Sequence, residues 1–121
     1  MKILFADDSA VTRSLVQAIL AVPGHEVTTA ENGTEAWTLW QRDHHPVVIA
    51  DWMMPGIDGL EFCRKIRADP RGRSTYFILQ TVRTGGTGEA TEAGVSAYIT
   101  KPIVPAELLD SLEVAARVLR L

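Results

Sequence analysis

Short β-rich apolar runs alternate along the chain with stretches whose apolar residues recur at helical spacing. The strand-like runs are Ile3-Leu4-Phe5, Glu26-Val27-Thr28-Thr29, Val47-Val48-Ile49-Ala50, Tyr76-Phe77-Ile78-Leu79 and Ala97-Tyr98-Ile99. The first, third and fourth are continuously apolar, as strands covered on both faces of a parallel sheet are. The second and fifth are mixed, which assigns them to the edges. Between the runs, Ser9 caps a predicted helix whose Val11, Leu15 and Ile19 share a face, and Asn32-Gly33 opens another with Ala36, Leu39 and Trp40 turned inward. Asp58-Gly59-Leu60-Glu61 has the spacing of a capping box and leads into Cys63 and Ile66, with Pro70-Arg71-Gly72 ending that element. The run Arg83-Thr84-Gly85-Gly86-Thr87-Gly88 disfavours helix and predicts a mobile loop before a short fourth helix from Glu89 to Ala93. A last helix starts near Pro105 and aligns Leu108, Leu112, Ala115 and Leu119, with Val114, Val118 and Leu121 as a second stripe.

Repeated β-α units of this kind predict an α/β domain, a parallel sheet with helices on both faces. They fill residues 1–121 without a linker or internal repeat, so one domain is expected. The chain is 46% hydrophobic and 22% charged, which removes the disordered and disulfide-scaffold classes. A net charge of -3 with both signs scattered leaves no basic stripe, so direct binding of nucleic acid is not expected. Cys63, the one cysteine, has no disulfide partner or metal-ligand spacing, and no run is long and apolar enough for a membrane span or a secretory signal. These features fit a reducing cytoplasm. Spaced with Leu60 and Ile66, Cys63 reads as a core thiol, and adjacent His44 and His45 cannot face the same way on a helix to share a metal.

The chemistry is expected at the carboxyl ends of the strands, where open α/β sheets bind ligands. The first run delivers Asp7-Asp8, the third Asp51, the fourth Thr81 and the fifth Lys101-Pro102. Three carboxylates in one crevice repel each other unless a cation lies between them, and Mg²⁺ or Mn²⁺ suits oxygen donors of this kind. A metal so placed would let one carboxylate attack phosphorus, with Lys101 and Thr81 near the transferred oxygens. Taken singly, each feature has a plainer reading: Asp7-Asp8 as helix caps, Asp51 to Gly56 as a turn, Lys101 as a solvated charge, Tyr98 as an edge aromatic. It is the joint arrangement that favours the site.

The segments Leu4-Phe5-Ala6-Asp7-Asp8-Ser9, Glu31-Asn32-Gly33, Asp51-Trp52-Met53-Met54-Pro55-Gly56-Ile57-Asp58-Gly59, Leu79-Gln80-Thr81 and Ala97-Tyr98-Ile99-Thr100-Lys101-Pro102 resemble the receiver domain of two-component response regulators. The resemblance implies a doubly wound, flavodoxin-like five-stranded sheet of order 2-1-3-4-5. It implies that Asp51 is the phosphoacceptor, Asp8 a direct metal ligand, Asp7 a ligand largely through water, and the Met53 backbone carbonyl a further ligand. Lys101 would pair with the phosphoryl group, Thr81 would move toward it, and Tyr98 would pass from an exposed to a buried rotamer, reshaping the surface of the fourth helix, fifth strand and fifth helix. Two departures stand out. The interval from Thr81 to Lys101 is shorter than usual in the family, and Val82 stands where a small alanine is common and would narrow access. Met53 and Arg83 hold the positions that tune phosphoryl lifetime; neither obviously positions a hydrolytic water, which implies a long-lived phosphorylated state.

The implied donor is a sensor histidine kinase or phosphotransfer protein, and the output an effector domain or protein. The chain would not be an enzyme acting on other substrates; it would catalyse only its own phosphorylation and dephosphorylation. The alternative is a non-phosphorylated pseudo-receiver serving as an interaction module. A haloacid-dehalogenase-like phosphatase needs a second Asp two residues after the first-strand nucleophile, and Ser9 and Ala10 occupy those places. Nucleotide-binding glycine motifs are absent. The second stripe of the last helix points to a following signalling helix or effector domain, and the same stripe could support a homodimer.

Overall fold

The computed structural model describes residues 1–82 and 87–120. Five strands, β1 (Lys2–Ala6), β2 (Glu26–Ala30), β3 (Val47–Asp51), β4 (Tyr76–Thr81) and β5 (Ala97–Thr100), alternate with α1 (Ala10–Ala21), α2 (Gly33–Asp43), α3 (Gly59–Ala68), α4 (Thr87–Ala93) and α5 (Pro105–Leu119). The strands pair in parallel in the order β2-β1-β3-β4-β5. This is the doubly wound sheet that the apolar runs and the resemblance imply, with the two mixed runs at its edges. The predicted caps form: the side chains of Ser9, Asn32 and Asp58 accept from the backbone N–H groups of Thr12, Glu35 and Glu61.

Successive side chains of a strand face opposite ways, and the core divides accordingly. Leu4, Val48, Phe77 and Leu79 pack under α2, α3 and α4 with Trp40, Leu60, Phe62 and Ile66. Ile3, Phe5, Val47, Ile49 and Ile78 pack under α1 and α5 with Val16, Leu20, Leu108 and Leu112. Trp37 and Trp40 stack with ring centroids 5.7 Å apart, and buried Trp40 donates from Nε1 to the His45 carbonyl at 3.3 Å.

Helix α1 departs from the sequence expectation. Val11 is 80% exposed and Leu15 46%, while Val16 and Leu20 are buried and Ile19 is half-buried. The rotation brings Val16 and Leu20 into the cluster with Phe5, Leu108 and Leu112, and Arg13, on the same face, donates from Nη1 to the Asp7 carbonyl at 2.7 Å. Helix α4 begins at Thr87 rather than Glu89, because the penalty for a glycine such as Gly88 applies to helix interiors more than to a first turn. The expectations for Arg83 to Gly86, and for Leu121 in the second stripe, lie outside the described residues.

The far end of α4 is fastened to α3. Arg67 Nε and Nη2 donate to the Gly94 carbonyl at 3.0 and 2.8 Å, Nη1 donates to the Gly72 carbonyl at 2.6 Å, and Nη2 also reaches Ser96 Oγ at 3.2 Å. Ser96 Oγ in turn accepts from the Phe77 amide of β4, and Cys63 Sγ donates to the Ala93 carbonyl. Cys63 is buried, as its spacing predicts, and burial pushes its thiol up to about 11. Among the described residues, no helix is long and apolar enough to cross a membrane.

Candidate functional site

The carboxyl ends of β1, β3, β4 and β5 bring together every strand-end residue singled out in the sequence. Asp7, Asp8 and Asp51 can each direct one carboxylate oxygen into a group whose members lie within 4.8 Å of one another. Asp7 is fully buried, Asp51 nearly so, and Asp8 is exposed. Lys101 Nζ donates to Asp51 Oδ2 and lies 3.7 Å from Asp7 Oδ2. Thr81 is buried beside them, and Asp51, Trp52, Met53, Thr81, Val82 and Lys101 line a cavity of about 270 Å³.

Local sequence explains how each group is held. The loop after β1 is folded back by Asp7 itself, whose Oδ1 accepts from the Ser9 amide at 2.8 Å, while the Asp7 amide donates to the Ala30 carbonyl. After β3, the Met53 amide donates to Asp51 Oδ1 at 3.3 Å, the Trp52 amide to the Gln80 carbonyl, and the Gly59 amide to the Trp52 carbonyl. A side chain on Gly59 would collide with the Asp51 carbonyl, so the glycine lets α3 start directly under β3. Met53 is 64% exposed. Tyr98 lies at the exposed edge with Oη 3.2 Å from Thr91 Oγ1.

The electrostatics are those of an acid pocket short of positive charge. Burial raises the Asp7 carboxyl above its ordinary value; the Ser9 amide and Lys101 oppose the rise, and Asp51 and Asp8 add to it. For Lys101, burial works against the charge, yet the hydrogen bond it donates to Asp51 and the negative field of Asp51, Asp7 and Asp8 carry its pKa above normal. Lys101 thus serves as the internal counter-ion. One ammonium against three carboxylates leaves a net negative pocket of hard oxygen donors, which fits a small divalent cation.

One residue of the pocket escaped the sequence reading. Gln80 is fully buried and pairs with Asp51 across β3 and β4, and its Nε2 donates to Asp7 Oδ2 at 3.3 Å. The available signal was a lone amide closing an otherwise apolar strand run, two residues after Ile78 and therefore on the same sheet face.

A model of the response regulator receiver domain matches residues 3–113. The chain is 41% identical over 119 residues to chemotaxis protein CheY1 of Helicobacter pylori, covering 94% of this chain and 95% of that protein. Among solved structures it resembles the chemotaxis response regulator CheY4 of Vibrio cholerae, with a TM-score of 0.91, 32% identity and coverage of 94% of this chain and 97% of that one. The receiver domain of a Pseudomonas aeruginosa sensor histidine kinase, solved with a magnesium ion coordinated in its active-site cleft, matches with a TM-score of 0.85 and 29% identity, over 99% of this chain and 98% of that one.

Proposed function

The chain belongs to the response regulator receiver domain family, and from that premise we propose that it is a signalling switch in which Asp51 accepts a phosphoryl group from a phosphohistidine donor. The observation that carries this reading is the meeting of Asp51 with Lys101 and with Asp7 and Asp8 at one strand-end pocket. Asp7, Asp8 and Asp51, with the Met53 backbone carbonyl, would hold Mg²⁺ or Mn²⁺. Bound there, the cation offsets the negative charge of the incoming phosphoryl oxygens.

In the transfer, a carboxylate oxygen of Asp51 forms the new bond to phosphorus. The bond from phosphorus to the donor imidazole breaks, and the electron pair leaves with the nitrogen, which takes a proton. Lys101 exchanges its hydrogen bond to Asp51 for one to the phosphoryl oxygens, and Thr81, which lines the same cavity, donates to another. Movement of Thr81 opens space toward β5 and draws in Tyr98, so the faces of α4, β5 and α5 change for the effector. The exposed Val82 and Met53 stand at the mouth and limit what reaches Asp51. Turnover is confined to the protein's own acyl phosphate. The donor is a sensor histidine kinase or phosphotransfer protein, the setting is the cytoplasm, and the exposed Val114 and Val118 of α5 offer a surface for an effector or a second copy.

Incubation with Mg²⁺ and acetyl phosphate, read by intact mass, tests the reading. One added phosphoryl group is expected in the wild type and none in Asp51→Ala or with a chelator. A folded wild type that gains no phosphoryl group from acetyl phosphate or from a phosphohistidine protein would sink it.

A further inference from the structure

A buried amide inside a central strand needs an explanation, since burying a polar group without full hydrogen bonding is unfavourable. Gln80 follows Tyr76-Phe77-Ile78-Leu79, all buried and apolar, and is itself fully buried. Its Nε2 donates to Asp7 Oδ2, whereas its Oε1 has no hydrogen-bond partner among the described residues. The amide is turned with Nε2 toward Asp7, the orientation in which a carboxylate accepts. The side chain faces a cavity of about 180 Å³ lined also by Thr12, Leu15, Lys101, Pro102 and Ile103, on the α1 and α5 side of the sheet. An aliphatic side chain would suit this position in the fold as well as its neighbours do.

The Asp7 carboxylate has donors of two kinds. The Ser9 amide on Oδ1 and Gln80 on Oδ2 are neutral, while Lys101, 3.7 Å from Oδ2, is a full charge. The distinction matters for a metal ligand. A cationic partner holds a carboxylate by cancelling the charge that a metal needs, and it is drawn away when a phosphoryl group arrives. A neutral amide holds the same oxygen in place and leaves the charge intact, as the outer partners of metal ligands do in general.

We propose that Gln80 is a positioning residue for the divalent cation, acting through Asp7: its amide fixes the carboxylate in a metal-ready orientation that does not depend on Lys101. This deepens the reading above and rests on it. Among the described residues Oε1 has no partner, so the side-chain amide is engaged by Asp7 alone.

The test is a Mg²⁺ titration of the intact protein by calorimetry, with Trp52, buried beside Asp51, as a fluorescence check. Gln80→Met keeps the length of the side chain and removes the donor; Gln80→Leu serves if the first variant does not fold. The expected result is Mg²⁺ affinity about 10-fold weaker than wild type, with a Mg²⁺-free melting temperature close to it. In an Asp7→Asn background the same substitution should change affinity little, because the effect travels through Asp7. Wild-type affinity in Gln80→Met would overturn the proposal while leaving the phosphoacceptor reading intact. A loss equally large in the Asp7→Asn background would also overturn it, assigning Gln80 to the fold alone. A wild type with no saturable Mg²⁺ binding would remove both.

Discussion

Beside the amino ends of β1 and β2, Met1, Pro23, Leu109, Leu112 and Ala116 form most of the lining of a cavity of about 310 Å³, with His25 and Glu113 completing it. At the carboxyl ends, a cavity of about 270 Å³ is lined by Asp51, Thr81 and Lys101 together with Trp52, Met53 and Val82. The two hollows are similar in size and differ in chemistry. The same contrast runs through the buried groups nearby. At the amino end of β3, Trp40 stacks on Trp37 and donates to the His45 backbone carbonyl, and burial disfavours charge on the His45 imidazole, so these groups serve the packing of α2. At the carboxyl end, buried Asp7 and Asp51 share one lysine and Asp7 also accepts from the Gln80 amide, an arrangement less favourable for folding than a packed apolar cluster. The comparison teaches where folding and switching were kept apart: changes at the amino end should alter stability whatever the cation, and changes at the carboxyl end should alter it in a cation-dependent way.

The largest expected effect lies on the structural side. Trp40→Ala removes a fully buried ring, its stacking on Trp37 and its bond to His45, and should cost about 3–5 kcal/mol in urea unfolding. Phosphoryl uptake per folded molecule, read by intact mass, should stay at the wild-type level. Loss of uptake in the folded fraction would break the division between the two ends.

A smaller effect is expected from Lys101→Met. With chelator present, loss of the ammonium leaves Asp51 and Asp7 without their counter-ion and should lower stability by about 1–2 kcal/mol, less than for a fully enclosed pair because the lysine side chain keeps 29% of its exposure. Thermal melts with and without Mg²⁺ check this: the cation should restore more stability to the variant than to the wild type. Equal shifts would mean that Lys101 is not the stand-in for the metal.

The smallest effect is a pH slope at the amino end. Burial holds the His45 imidazole below its ordinary value of 6.5, with Asp43 and Glu26 opposing that shift and Lys2 and Arg42 reinforcing it. Because the unfolded chain then takes up the proton more readily than the fold, the contribution of His45 is present above about pH 6.5. It is lost as pH falls through the lowered folded value. Chemical denaturation between neutral and mildly acidic pH should show this decline in the wild type and a flatter profile in His45→Gln. An unchanged profile would place the titration elsewhere.

Much of this was legible in the sequence for a simple reason. Strand ends in a parallel sheet are near one another wherever they fall in the chain, so Asp7, Asp8, Asp51, Thr81 and Lys101 could be gathered without coordinates. The cap residues Ser9, Asn32 and Asp58 were equally readable, since each acts within its own turn. What escaped depends on contacts across the fold. Helix α1 carries two overlapping apolar stripes, and the one that is buried is the one that packs on Phe5, Leu108 and Leu112 and lets Arg13 reach the Asp7 carbonyl. Gln80 looked like the tail of a strand because its partner, Asp7, lies on β1's side of the sheet, far away in sequence. The burial of His45 likewise follows from the left-handed turn at His44, which periodicity does not encode.

Arg67 gives α4 a fulcrum. Its bonds to Gly94 and Ser96, with the Cys63 thiol on Ala93, pin the last turn of that helix to α3 and, through Ser96, to the sheet. The first turn is held to α3 more lightly, by the exposed Arg64–Glu89 ion pair at 3.7 Å and the buried Ala90. A rod gripped firmly at one end and lightly at the other yields by tilting rather than by sliding. A load on the first turn would therefore reach the surface as a change of angle along the seven residues of α4.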